Sequence, residues 1–264
     1  MLTSEDFKSA LNRLELGGKP AIAHASLKPF GEIEGGPQAV LGALLASISG
    51  LIMPTFTYKT MVIPEVGPPN NGLTYGRYRD LNRMAEYFHP NKPADALMGV
   101  LPETLRCHPG AMRTAHPILS FAGLRANNVL ETQTMYNPLA PIGALADRDG
   151  WVLLLSVDHT VNTSIHYAEK LAGRRQFVRW ALTKKRILEC PGFPGCSDGF
   201  EGIRPDIEYV SRRVEIGEGF IEAIPLHPLL RAVKVEVKRN PLALLCRREE
   251  CERCNTIRQT AIDM

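Results

Sequence analysis

The spacing of apolar residues along this chain changes several times, and each change marks an element. Phe7, Leu11 and Leu14 share one helical face behind Thr3 or Ser4, either of which can cap it. Gly17-Gly18 closes that segment. Ala21 to Leu27 (AIAHASL) reads as a short strand, Pro37 to Ser47 as a helix with proline in its first turn, and Leu51 to Thr57 (LIMPTFT) as the next strand. Residues 58–92 have no period and are rich in Pro, Gly, Asn and Tyr, which marks a functional loop rather than a plain connection. Ala94 to Arg106 reads as a helix, Met112 to Leu124 as extended chain around His116-Pro117, and Ile142 to Ala146 as a short helix. Trp151 to Val157 (WVLLLSV) is an unbroken apolar run closed by Asp158, the pattern of a strand buried on both faces. A helix is predicted over Val161 to Ala172 and a hairpin over 175–190 that turns at Lys184-Lys185. Phe200 to Arg213 reads as mostly helical, and Leu230 to Val237 as strand-like. No repeat, low-complexity stretch or linker interrupts the chain. The expectation is an α/β fold: one domain over 1–264 with a central mixed sheet flanked by helices.

Composition narrows the function classes. The chain has 264 residues, 44% hydrophobic and 22% charged, enough to bury a sizeable core. No apolar run approaches the roughly 18 residues of a membrane span. Met1 to Phe7 lacks the basic and apolar regions of a signal peptide and reads as a helix start, so a cytoplasmic protein with no membrane partner is expected. The net charge is +3, with acids and bases interleaved, and Lys184-Lys185-Arg186 and Arg247-Arg248 are among the tight basic clusters. Without a basic stripe interleaved with aromatics, nucleic acid is not expected as a partner. Nor does that balance attract a polycation, so a cationic substrate would need local carboxylates.

The densest polar cluster runs from Asp158 to Glu169, where the strongest predicted strand hands over to a helix. Ligands of open α/β sheets bind at that edge. Thr160, Asn162 and Thr163 can each cap the helix. His166 and Glu169 are three apart and share a face, so the carboxylate can orient the imidazole as a general base. A capped helix with a partly buried histidine and a surface ion pair is the structural alternative for the same residues.

The run Gly150 to Glu169 resembles the signature of the aminoglycoside 3-N-acetyltransferase (antibiotic N-acetyltransferase) family, which ends in Asn-Thr-Ser/Thr-x-His-x-x-Glu. Asn162, Thr163, Ser164, His166 and Glu169 match it. His24-Ala-Ser-Leu27, Met53-Pro-Thr-Phe56, Met98 to Glu103, and Arg113 to Pro117 with Ser120 agree in order and spacing. The resemblance implies the antibiotic N-acetyltransferase fold, not the histone-acetyltransferase one. It also implies direct acetyl transfer from acetyl-CoA to the 3-amino group of the 2-deoxystreptamine ring of an aminoglycoside, an antibiotic-resistance activity.

In that reading His166 is the base, Glu169 orients it, and Thr163 or backbone N–H groups steady the oxyanion. His159, where relatives can carry Tyr, is a weaker candidate for the base and otherwise lines the substrate mouth. His24, Ser26, Leu27 and Lys28 at a strand end are candidate coenzyme contacts, as are Arg113, His116 and Ser120 by resemblance. Glu103, Asp158, Asp198 and Glu201 are candidate carboxylates for a cationic acceptor. Phe88-His89-Pro90 and Lys92 stand where the family often has Phe-Asp-Pro. That departure keeps open acyl transfer to a different biosynthetic or metabolic amine. No glycine-rich phosphate fingerprint is present.

Six cysteines are present, five of them in the last third of the chain. Disulfides are not expected in a reducing compartment. Cys190, Cys196, Cys251 and Cys254 form a Cys-x5-Cys and a Cys-x2-Cys pair suited to structural, tetrahedral zinc, which would pin the part from 190 to 254. Cys251 to Gln259 also resembles the tails of some relatives. Reduced free thiols are the alternative. A zinc-stabilised binding module without catalysis is the reading from another class.

Overall fold

The computed structural model describes residues 1–77 and 79–262. Its strands are β1 (Ala21–Ala25), β2 (Leu51–Pro54), β3 (Met61–Val62), β4 (Met112–Arg113), β5 (Phe121–Leu124), β6 (Trp151–Leu155), β7 (Phe177–Leu182), β8 (Ile187–Phe193), β9 (Arg212–Ile216) and β10 (Gly219–Pro225). Its helices are α1 (Ser4–Arg13), α2 (Gly36–Ser47), α3 (Arg79–Arg83), α4 (Val100–Arg106), α5 (Asn127–Leu130), α6 (Ala140–Ala146), α7 (Thr163–Leu171), α8 (Arg204–Ile207), α9 (Leu226–Arg239) and α10 (Glu252–Ile262). None of the described helices is long and apolar enough to cross a membrane.

Seven strands form a central mixed sheet in the order β4-β5-β2-β1-β6-β10-β9. β2, β1 and β6 run parallel, and the outer pairings are antiparallel. β3, β7 and β8 make a smaller sheet.

The pleat sends alternate residues to opposite faces. Ile22, Ile52, Val152, Leu154 and Ile224 enter a core shared with α6, α7 and α9. Ala21, Ala23, Leu51, Met53, Leu153, Leu155 and Ala223 enter a second core beneath α1, α2 and α4. β6 is central, and Val152 to Leu155 are wholly buried, which is why it reads as a continuous apolar run. α1 is capped by Thr3, whose side chain accepts from the Asp6 N–H while the Asp6 carboxylate accepts from the Thr3 backbone N–H.

Three expectations differ from the structure. Leu230 to Val237 is helix, not strand. Val233, Val235 and Val237 alternate with charges and mimic a period of two, but Leu226, Leu229, Leu230, Val233 and Val237 are buried at helical spacing against the sheet. The predicted helix Ala94 to Arg106 is broken at Gly99, which has φ +86°, and a Cβ there would meet the Ala25 carbonyl oxygen at 3.2 Å. The 200–213 segment is three short helical turns, including α8, and then β9, which continues into β10.

Candidate active site

A cavity of about 1100 Å³ opens at the carboxyl ends of the three parallel strands. Ala23 to Lys28 at the end of β1 and beyond it, Pro54, Phe56 and Tyr58 at the end of β2 and beyond it, and Val157 with Thr160 to Thr163 and His166 after β6 line it. The loop from 58 to 92, of which residue 78 lies outside the described residues, supplies Met61, Ile63, Gly72 and Leu73. Met98 and Gly99 close one side, while Phe193 to Gly195, Ser197 and Glu250 to Arg253 form another.

His166 sits in the first turns of α7. The helix begins where the Asn162 side chain accepts from the Ser164 N–H at 3.1 Å. His166 Nδ1 lies 3.1 Å from Glu169 Oε2, and the other oxygen of Glu169 accepts from the Arg174 guanidinium. Arg174 also donates to the carbonyls of Pro241 and Ala243 at 2.8 Å each. Glu169 and Arg174 side chains are both 2% exposed, so each charge depends on the other. A carboxylate accepting at Nδ1 puts the proton there and leaves Nε2 with its lone pair. The Phe200 ring stands edge-on to the imidazole with centroids 4.6 Å apart and holds its plane.

Of the candidate coenzyme contacts, His24, Ser26, Leu27 and Lys28 line the cavity, as does Thr163. Arg113, His116 and Ser120 do not. Arg113 donates to Ser120 Oγ at 3.1 Å and to the Thr55 carbonyl at 2.8 Å, a clamp between loops. His116 Nδ1 accepts from the N–H groups of Ile118 and Leu119, and burial pushes its pKa down to about 4.

The candidate acceptor residues are also engaged elsewhere. Glu103 pairs with Arg106 at 2.6 Å, and Asp198 pairs with Arg248. Asp158 caps the turn that leads to α7, accepting from the Thr160 N–H. Glu201 pairs with Arg204 and accepts from the His159 N–H at 3.0 Å, and the His159 side chain is fully buried. None of Glu103, Asp158, His159, Asp198 and Glu201 lines the cavity. The carboxylates that do are Glu250 and Glu252, which sequence reasoning missed. Glu252 accepts from the Thr74 hydroxyl. The Arg179 cation, stacked on the Phe177 and Phe193 rings, and Arg253 also border the space.

The cysteine assignment changes by one residue. The sulfurs of Cys196, Cys246, Cys251 and Cys254 lie within 4.8 Å of one another, all four buried. Cys190 is not among them. It belongs to β8, packs in the sheet-and-helix core, and burial pushes its thiol up to about 12. A hydrogen bond from Cys254 holds Cys196 down at about 4, while burial first pushes Cys251 up. A tetrahedral zinc with bonds of about 2.3 Å sets its sulfurs about 3.8 Å apart, so the donor set fits that ion.

Comparison with known proteins agrees with this architecture. The chain is 33% identical over 175 residues to aminoglycoside N(3)-acetyltransferase VII of Streptomyces paromomycinus, covering 61% of the chain and 58% of that protein. It is 28% identical over 251 residues to aminoglycoside N(3)-acetyltransferase III of a Salmonella species, covering 84% and 86%. The crystal structure of the apoenzyme of aminoglycoside acetyltransferase AAC(3)-IVa superposes with a TM-score of 0.78 at 23% identity, covering 98% of both chains, which establishes the shared fold. The family model described as aminoglycoside 3-N-acetyltransferase matches residues 22–234, most of the length, and the chain belongs to that family.

Proposed function

We propose that this protein transfers the acetyl group of acetyl-CoA to the 3-amino group of the 2-deoxystreptamine ring of an aminoglycoside, a resistance activity exercised in the cytoplasm. One observation carries the reading: the His166–Glu169–Arg174 chain ends in an imidazole that borders the same cavity as the His24 to Lys28 strand end. His166 Nε2 takes a proton from the attacking amine as the N–C bond forms and the carbonyl electron pair moves onto oxygen. The pair then returns, the C–S bond breaks, and the proton held on Nε2 goes to the departing sulfur. Glu169 keeps the Nδ1 proton in place and balances the imidazolium while it lasts, and Arg174 holds Glu169 there through a buried ion pair.

Thiol release from acetyl-CoA with a panel of aminoglycosides tests the reading, with the acetylated position assigned by NMR. His166→Ala should lose roughly 10²–10⁴-fold in kcat with the fold intact. Full activity in that variant, or no release with any member of the panel, overturns it. A second reading, transfer to another amine, is favoured by the cavity's charges: Glu250 and Glu252 share it with Lys28, Arg179 and Arg253. Turnover with simple amines but not with aminoglycosides would select it.

Residues 1–264 act in this reading as one unit whose end is held by zinc on Cys196, Cys246, Cys251 and Cys254. The support is a converging set of four buried sulfurs. With all four ligands supplied by protein, such a site is closed and structural, and its contribution is to fold rather than to chemistry. Metal analysis should find one zinc per chain, and metal-free protein with unchanged stability would refute it.

A further inference from the structure

The turn that leads from β6 to α7 is tied to the central sheet by one guanidinium. Glu222 of β10 is 2% exposed, and its two oxygens lie 3.1 and 3.2 Å from Arg204 Nη1. In register Glu222 stands beside Leu154, near the end of β6. Arg204, the first residue of α8, also donates from Nε to Glu201 on the 3-10 turn Phe200–Ile203. The other Glu201 oxygen accepts the His159 N–H at 3.0 Å. One side chain therefore links a buried acid of the sheet to the backbone of the turn that follows β6.

From there two routes reach His166. On the first, the His159 carbonyl accepts from the Asn162 N–H at 2.9 Å. The wholly buried Asn162 side chain then caps α7 by accepting from the Ser164 N–H, and His166 lies in the first turns of that helix. The second route is a ring. Phe200, the residue before Glu201, is wholly buried and stands edge-on to the His166 imidazole, centroids 4.6 Å apart. Thr160, Val161 and Asn162 also line the cavity, so the turn held this way is one of its walls.

Charge explains why an arginine stands here. Glu201 and Glu222 converge on one place, and a cation between them offsets their repulsion. A guanidinium offers separate N–H groups to both acids in a fixed plane, which the point charge of a lysine does not. Glu169 and Arg174 hold the imidazole at Nδ1, but they leave the start of α7 and the tilt of the ring to other contacts.

We propose that Arg204 is a positioning residue: by joining Glu222 to Glu201 it sets the cap of α7 and the Phe200 ring, and so aims His166 Nε2 at the acceptor amine. This rests on the acetyl-CoA reading above. Arg204 does not line the cavity and exchanges no proton, so its loss should slow the chemical step and spare binding.

The test separates aim from stability. Arg204→Met alone leaves Glu222 buried without its cation and should destabilise the fold. Arg204→Met combined with Glu222→Met removes both charges for apolar groups of similar length, and should melt close to wild type. In that double variant kcat should still fall roughly 10–10²-fold, with the Kd of acetyl-CoA little changed. Proton NMR reads the geometry without turnover: the NOE between the His166 and Phe200 ring protons, present in wild type, should weaken. Glu201→Met breaks the same link at the more exposed acid, and should show both losses if the double variant fails to fold. An unchanged ring NOE, or wild-type kcat, in a folded variant overturns the proposal. Wild-type protein that releases no thiol ends the acetyltransferase reading instead, and the ring NOE still decides whether Arg204 sets His166.

Discussion

Two parts of one cavity are built in opposite ways. The proposed base and its supports, His166, Glu169 and Arg174, fall within nine consecutive residues and are set by one helix and its exit turn. The wall that holds Glu250 and Glu252 is set by sulfurs from Cys196, Cys246, Cys251 and Cys254, which lie up to 58 residues apart in sequence. A helix supplies its own geometry through backbone bonds. The wall joins the end of β8 to the start of α10 and depends on distant groups meeting, which is how a small polar segment can be held without a core of its own. The matched family region, 22–234, includes His166 and Cys196 but ends before Cys246, Glu250, Cys251, Glu252 and Cys254.

The contrast can be broken first at Arg174. Arg174→Ala leaves the Glu169 carboxylate buried without its cation, and chemical denaturation should show a loss of about 3–5 kcal/mol. A loss below about 1 kcal/mol would mean that the ion pair does not hold Glu169 beneath His166 as described. Cys246→Ser comes next: it should abolish stoichiometric zinc and lower Tm by several degrees, on the order of the loss expected when a structural site loses a ligand. Cys190→Ser should keep the metal. The reverse result would restore the pairing suggested by sequence spacing alone. The smallest effect belongs to the wall's carboxylates. Glu250→Gln and Glu252→Gln should each raise the acceptor KM by roughly fivefold, about 1 kcal/mol, with kcat nearly unchanged. An effect on kcat alone would place them with the chemistry instead.

Legibility followed the same division. The apolar run at Trp151 to Leu155, the helix after it and the His166–Glu169 spacing are local patterns, and the structure retains all three. Arg174 was open to the same reasoning, because a buried acid needs a cation and one follows five residues later. What could not be read locally depended on packing. Cys190 and Cys246 are equally good thiols in sequence, but only the fold sends Cys190 into the core and brings Cys246 to the other three. Glu103, Asp198 and Glu201 were plausible acids for a cation, yet each is already paired with a nearby arginine. The alternating valines of α9 show the converse case, where a clear local pattern lost to the face that the sheet offered.

His24 and His116, kept uncharged by burial at about 3 and about 4, have a cost that appears only in acid. An unfolded chain takes up those protons at the ordinary histidine value near 6.5, while the folded one refuses them. Stability is therefore whole above that value and drains away as pH falls from 6.5 toward 4 and 3, which urea melts at stepped pH would record. The same burial that keeps these two rings neutral works against the folded state in acid.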